Sequence, residues 1–434
     1  MSEKKRVTRR TFLGAAAGAI AAPMVVPSSV LGLRGAPPSE RVLVGVIGAG
    51  GMARANAGGF LRQKDTSVVA MCDVDSKQLD DAVGEIKKRK DDAEIKKLKD
   101  FRELIALPDL DVIVVATPDH WHAICAIHAV RAKKHVYCEK PVTHTFAEGQ
   151  ALVAAVKEAG VRFQVGSQQR SDWEFRRGVD IVWNGLIGKV KNVEVGLPTG
   201  NGHKGDKNPK DPPANLDYDF WCGPSEKLAY HPDRCHWNWR WHLSYGGGQL
   251  MDWIGHHNDI SHWGLGRDGS GPSEVKAVGF EYPADRTVWN AATKYEVLCT
   301  YDDGVVSSIS NKHPMGCKWI GENGWVHVDR GSIKASNPEW VKREFDPGPK
   351  KAYASDDHRA NLLECIRTGK PTICPPETGH RSITPGHLGL LSEKLGGRAI
   401  RWDPKAEKVI GDDEAEKLLK KVSFREPWSL SRIS

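Results

Sequence analysis

The chain has 434 residues, 40% of them hydrophobic and 27% charged, with a net charge of +7. That length is too great for one small domain and comfortable for two, each with its own core, and the composition excludes a disordered or fibrous chain. The charge is too mild for a nucleic-acid partner: the basic run from Lys87 to Lys99 is broken by Asp91, Asp92 and Glu94, reads as a solvated helix face, and has no base-reading motif beside it.

Residues 1–35 read as a targeting segment and linker. Thr8-Arg9-Arg10-Thr11-Phe12-Leu13 sets two arginines before an apolar run from Leu13 to Val30. No charge falls between Arg10 and Arg34, and Pro23 and Pro27 disfavour a stable membrane span. The segment resembles a twin-arginine export signal, which implies a protein that folds before export to the periplasm. No cysteine follows the run, so a lipid anchor is not expected. The nine cysteines are scattered without close pairs. They form no disulfide framework or zinc ribbon, and Cys72 and Cys138 read as small core residues at the ends of apolar strands.

From residue 40 to 165 short apolar strands alternate with helices, the pattern of a doubly wound parallel sheet. The strand Val42 to Ile47 runs into Gly48-Ala49-Gly50-Gly51-Met52-Ala53, a glycine-rich turn that opens a helix. Gly48 permits the turn, Gly50 lets backbone approach a pyrophosphate, and Ala53 keeps the helix against the sheet. The next strand, Ser67 to Cys72, ends in Asp73, at the spacing of about 20 residues expected of a ribose-binding acid. A carboxylate there repels a 2′-phosphate, so NAD is expected over NADP, although Ser76 and Lys77 stand nearby. Asp111 to Ala116 is a third strand, followed by Thr117-Pro118-Asp119-His120-Trp121-His122, with Asp119 read as a helix cap. His135 to Tyr137 is a fourth, followed by Cys138-Glu139-Lys140-Pro141, where a cis Lys140–Pro141 peptide is expected. A helix from Phe146 to Ala159 stops at Gly160, and a strand from Val161 to Val165 follows. All these turns lie at the carboxyl ends of strands, where open α/β sheets bind ligands.

The pairing of ATPDHWH (Ala116 to His122) with EKP (Glu139 to Pro141) resembles the Gfo/Idh/MocA family of oxidoreductases. The resemblance implies that both segments border the nicotinamide half of NAD and that Lys140 reaches substrate. The expected cofactor contacts are Gly48, Gly50, Gly51, Met52, Ala53, Asp73, Thr117, Pro118, His120, His122, Glu139 and Lys140.

Residues 166–434 read as an α+β domain with a large, mainly antiparallel sheet. Trp237, Trp239 and Trp241 alternate with polar residues, as on one strand face. They form either a packed aromatic stripe or a wall for stacking a sugar. Asp252 and His256 are four apart and share a helix face, with histidine suited to proton transfer and a carboxylate to orienting it. They resemble the family's DxxxH signature, which implies a catalytic set of Lys140, Asp252 and His256. Trp121, Gln168, Arg170, Trp239, Arg240 and His257 are the candidate substrate contacts. His120, His122, His256, His257 and His262 are the histidines a metal would need, but His256 and His257 point apart on a helix and no acidic cluster has ligand spacing, so no metal is expected. Strands follow at Glu274 to Tyr282, Ala292 to Tyr301, Val305 to Lys312 and Trp325 to Val328, then helices at His358 to Thr368 and Ser382 to Leu395. The family's second sheet often joins subunits, which implies a homo-oligomer, dimer or tetramer.

Three functions fit these residues. The first is NAD-dependent oxidation of a secondary hydroxyl on a sugar or cyclitol, or the reverse reduction. The second follows from the export signal, because free NAD is scarce outside the cytoplasm and a bound cofactor must be regenerated in place: by oxidising one sugar and reducing another, or by redox-neutral cleavage of a glycoside through transient oxidation and elimination, which ranks below the oxidoreductase. The third is a silent sugar-binding protein on the same fold, which intact Lys140, Asp252 and His256 argue against.

Overall fold

The structure, a computed structural model, describes residues 41–89 and 94–430. The export signal read at residues 1–35 lies outside them. The first half comprises β1 (Val42–Ile47), α1 (Gly51–Leu61), β2 (Thr66–Cys72), α2 (Ser76–Arg89), β3 (Lys96–Leu98), α3 (Phe101–Ile105), β4 (Val112–Val115), α4 (Asp119–Arg131), β5 (His135–Cys138), α5 (Phe146–Ala159) and β6 (Phe163–Val165). Six strands form one sheet in the order β3-β2-β1-β4-β5-β6, and every pairing is parallel. This is the doubly wound order expected, and its direction reverses between β1 and β4, where a crevice opens beyond the strand ends. The central strand β4, Val-Ile-Val-Val, is buried along its whole length, as helices on both faces require. Thr145 and Glu148 close a capping box at the start of α5, and Gly160 ends it at φ +70°.

The second half comprises α6 (Trp173–Trp183), β7 (Val190–Gly196), α7 (Tyr218–Cys222), α8 (Gly248–Leu265), β8 (Glu274–Glu281), β9 (Lys294–Thr300), β10 (Val306–Ser310), β11 (Gly316–Gly321), β12 (Trp325–Asp329), β13 (Ser332–Ala335), α9 (His358–Thr368), α10 (Pro376–Lys394), β14 (Ile400–Asp403), β15 (Lys408–Val409) and α11 (Asp413–Leu419). Nine strands form the second sheet, ordered β13-β12-β11-β7-β10-β9-β8-β14-β15. It is antiparallel except where β7 runs parallel to β10. The fold class is therefore α/β with a Rossmann sheet and a second, mainly antiparallel sheet. No helix among the described residues is long and apolar enough to cross a membrane.

Several local expectations are corrected. The tryptophans at 237, 239 and 241 do not lie on a strand, because Asn238–Trp241 is a 3₁₀ turn. The helix expected from Ser382, α10, begins at Pro376 and continues through Pro385. Only its first turns, which contain Gly379, went unread; a Cβ at Gly379, Gly386 or Gly389 would stand 2.7, 2.6 or 2.5 Å from Val165, Met251 or Val297. Close packing outweighs their poor helix propensity. Asp119 is the first residue of α4 rather than its cap; Pro118 holds the cap position and no side chain caps the helix. Two strands unread in the sequence, β7 and β11, run through the middle of the second sheet.

The carboxy-terminal helices complete the first sheet. Leu362 and Leu363 of α9 join the core of Val44, Phe60, Val112 and Tyr137. Val165 donates its N–H to the Cys374 carbonyl at 2.9 Å, and its own carbonyl faces Nε2 of His358 at 2.8 Å.

Candidate active site

A cleft of about 510 Å³ opens at the carboxyl ends of the parallel strands, a size suited to a small ligand. Gly48 sits at φ +99°, where a Cβ would stand 2.5 Å from the Ala116 carbonyl, so only glycine fits this turn. At Gly50 and Gly51 a Cβ would meet nothing within 4 Å. The N-terminus of α1 thus presents unfilled backbone to the cleft, the arrangement that binds phosphate. Met52 lines the cleft. Ala53 is fully buried within α1 and does not line it. Asp73 also lines the cleft; its carboxylate accepts the amide N–H of Ala49 at 2.7 Å and of Asp75 at 2.8 Å. Burial pushes Asp73 up to about 6 against those two bonds.

Thr117, Pro118, Trp121, His122, Glu139 and Lys140 line the far end. The two rings of His122 and Trp121 are fixed by backbone. His122 places Nδ1 2.7 Å from the Pro141 carbonyl and Nε2 2.9 Å from that of Thr117, which ties the two family segments together. The Trp121 indole donates to the Trp221 carbonyl. Glu139 accepts from Asn56 Nδ2 at 2.6 Å, while its Oε2 is buried without a partner. The Lys140–Pro141 peptide is cis. His120, expected at the cofactor, turns away: its ring nitrogens lie 3.3 and 3.0 Å from the carbonyls of Tyr245 and Trp221. It packs among aromatic rings because α4 points it away from the crevice.

Beyond the nucleotide cradle, Lys140 meets α8. Its Nζ donates to the Asp252 main-chain carbonyl at 2.7 Å and to the carboxylate at 3.0 Å. Arg240 donates to the same carboxylate oxygen at 3.2 Å. The guanidinium of Arg240 lies between Trp237 and Trp239, 4.2 and 4.3 Å from their ring centroids. These two tryptophans therefore hold an arginine, and both line the cleft. Trp241 is buried against Trp289. Burial raises Asp252, but the charges of Lys140 and Arg240 outweigh it and hold the carboxyl below its ordinary range.

His256 lies one turn beyond Asp252 on α8, buried, its Nδ1 without a partner. Asp252 turns to Lys140 and Arg240 instead of to His256. Burial, then the charges of Lys140 and Arg330, hold His256 far below the usual histidine range, so its ring is neutral at pH 7. The cleft lining reaches Lys140 and Arg240 and stops short of Asp252 and His256.

Three proposed substrate contacts lie elsewhere. Arg170 is buried and engaged in ion pairs with Asp259 and Asp268 at 2.7 Å each. His257 is fully buried with Nδ1 2.7 Å from the Gly196 carbonyl. Gln168 sits in the 3₁₀ turn Gln168–Ser171, outside the lining. The polar groups of Arg170 and His257 serve the core, which spacing along the chain cannot distinguish from a site, whereas Gln168 Oε1 is buried without a partner. Conversely, Asp119 faces the cleft, buried, with Oδ1 unpartnered. Burial and the charge of Asp252 hold it well above the usual carboxylate range. Its place beside two histidines in a strand-end segment was the available signal.

Two family models match the chain. Residues 42–167 match an oxidoreductase family with an NAD-binding Rossmann fold, and residues 176–430 match the carboxy-terminal alpha/beta domain of that family. The chain belongs to the Gfo/Idh/MocA oxidoreductase family. Among Gfo/Idh/MocA relatives, an uncharacterized oxidoreductase of Bacillus subtilis is 32% identical over 374 residues, covering 82% of this chain and 94% of its own. A myo-inositol 2-dehydrogenase of Thermotoga maritima is 31% identical over 389 residues, 85% of this chain and 99% of its own. The solved structure of the WlbA dehydrogenase from Bordetella pertussis, in complex with NADH and UDP-GlcNAcA, shares the fold at a TM-score of 0.63 and 20% identity, covering 84% of this chain and 99% of that one.

The open glycine turn, the helix N-terminus and Asp73 fit NAD: Gly48, Gly50 and Gly51 would hold the pyrophosphate and Asp73 the adenosine ribose. Asp73→Ala is expected to weaken NADH binding by roughly 10- to 100-fold, the cost of losing hydrogen bonds to a charged group, and to narrow the preference over NADPH. Because Asp73 titrates near 6, protonation below that pH removes the repelling charge, so wild-type discrimination narrows as pH falls through about 6. Titrations of both cofactors by fluorescence, at pH 7.5 and 5.5, check this; equal wild-type affinity for NADPH and NADH at pH 7.5 refutes it.

Proposed function

We propose that this oxidoreductase acts on a secondary hydroxyl of a sugar or cyclitol, or on the matching ketone. The observation that carries the reading is Lys140, which leaves the end of β5 in the nucleotide cleft and pairs with Asp252 on α8, one turn from a neutral, buried histidine. Bound NAD supplies the hydride-accepting carbon. Lys140 donates a hydrogen bond to the reacting oxygen and stabilises its developing charge. His256, kept neutral by burial and the nearby cations, takes the hydroxyl proton. Asp252 and the stacked Arg240 fix the Lys140 ammonium. The inositol dehydrogenase among the relatives supports a polyol substrate.

A panel of hexoses, inositols and aryl glycosides, read by absorbance of the bound cofactor, tests the proposal. Reduction by a hexose or inositol is expected. Release of aglycone without net cofactor reduction would replace this reading by redox-neutral glycoside cleavage. Lys140→Ala is expected to lower turnover and raise KM together, since its hydrogen bond is made in ground and transition states alike. Two further proposals rest on the sequence alone: export to the periplasm, checked by cell fractionation, and a homo-oligomer, checked by light scattering.

A further inference from the structure

Away from the cleft, one group of side chains among the described residues has the donor set of a metal site. A ring nitrogen from each of His203 and His231 and a carboxylate oxygen of Asp233 lie within 4.8 Å of one another. Tetrahedral zinc, with bonds of about 2.0–2.1 Å to such donors, sets them about 3.3 Å apart, so small side-chain rotations bring the three to one ion. Spacing along the chain hides the group, because 28 positions separate the two histidines in a loop-rich stretch.

The second observation is His203 itself. Its side chain is 6% exposed, Nε2 stands 2.8 Å from Asp233 Oδ2, and Nδ1 is buried without a partner. Nε2 is thus the nitrogen that faces the carboxylate and would hold the ion, while Nδ1 lies on the far side of the ring. His231 is prepared in a different way. Its Nε2 lies 2.9 Å from the Asp206 carbonyl and its Nδ1 accepts the Asp233 amide N–H at 3.1 Å. An ion at Nδ1 replaces that one bond and keeps Nε2–H on a carbonyl, as metal-bound histidines keep their outer nitrogen. Trp289 packs on His203 at 5.3 Å and donates its indole N–H to the Asp233 carbonyl. Asp233 is 44% exposed, which leaves room for water as a fourth ligand.

We propose that His203, His231 and Asp233 bind a divalent transition-metal ion, zinc by the chemistry of the donors, as a structural clasp. The ion joins the segment around His203 to the 3₁₀ turn Pro232–Arg234. The chain that leaves this turn supplies His236, Trp237, Trp239 and Arg240 to the cleft wall. The clasp thus anchors the base of that wall and takes no part in the chemistry.

The test uses the full, untagged chain, stripped with a chelator and titrated with zinc or cobalt. Elemental analysis is expected to give one ion per chain, and cobalt to show the visible bands of four-coordinate nitrogen–oxygen ligation. Zinc at about 100 times its Kd is expected to raise the melting temperature by about 3 °C. His203→Ala and the near-isosteric Asp233→Asn are expected to weaken zinc binding by more than about 100-fold and to abolish the thermal shift. NADH binding, retained by both variants, shows that they are folded. A wild-type chain that takes up no stoichiometric zinc overturns the assignment, as does unchanged zinc binding in the folded variants.

Discussion

Replacing His256 by alanine is expected to lower turnover by about 100- to 10,000-fold, the usual contribution of a general base, while KM and NADH affinity change little. The reason lies in what the ring does in each state. Proton transfer is needed only as the reaction proceeds, so its loss falls on kcat. His256 belongs to α8, outside the nucleotide cradle of Gly48, Gly50, Gly51 and Asp73. Asp252→Asn tests a different part of the arrangement. It removes the anion that Lys140 and Arg240 share, so it should mimic Lys140→Ala in raising KM rather than His256→Ala. The pH profile separates the base from a bystander. Because burial and neighbouring cations depress His256 well below the ordinary range, it stays unprotonated as pH falls through 6.5. The acid limb of kcat should then lie below that of an unperturbed imidazole, about 6.5. Wild-type turnover in His256→Ala, on the substrate that the panel identifies, would sink the proposed mechanism.

A steep loss of stability is expected between about pH 6.5 and pH 4. Burial holds His120 and His387 at about 3, and His122, His257, His262 and His358 at about 4. Each is neutral in the fold and takes up a proton on unfolding once the pH is below about 6.5. A depressed folded pKa means that the contribution is complete above the unfolded value and lost as pH falls toward the folded one. Each such group contributes about 3 kcal/mol, and a whole domain has only about 5–15 kcal/mol. Glu148, raised by burial to about 7, and Asp259, raised to about 6, carry the opposite sign and favour the fold at lower pH. They are outnumbered. Melting temperatures in a series of buffers from pH 8 to 4 measure the balance; a flat profile from 6.5 to 4.5 falsifies it.

The parallel half of the molecule was legible because its signals are local. A strand, a glycine turn, a helix start and an acid about twenty residues on are each fixed by neighbours in sequence, and the strand order follows. Lys140 and Asp252 were also legible as site candidates, since strand-end and helical spacing placed them. What spacing could not give was direction. His120, His257 and Arg170 have the residue types of a site, yet their partners are the carbonyls of Trp221 and Gly196 and the carboxylates of Asp259 and Asp268. Those partners come from 61 to 101 positions away. The tryptophans at 237 and 239 misled for a related reason: alternation fits a strand, but stacking on Arg240 selected a 3₁₀ turn.

The way α9 closes the first sheet bears on how the chain is made. During synthesis the strands of residues 42–165 emerge nearly two hundred residues before Leu362, Leu363 and Cys374, which cap their apolar face and take up the Val165 amide. Until then the ribosome displays a parallel sheet with one exposed apolar patch and an unpaired terminal strand, a sticky intermediate. The nascent chain is therefore expected to stay protease-sensitive until it is almost complete. A chain cut before residue 358 should accumulate as aggregate even though every nucleotide-contacting residue is present.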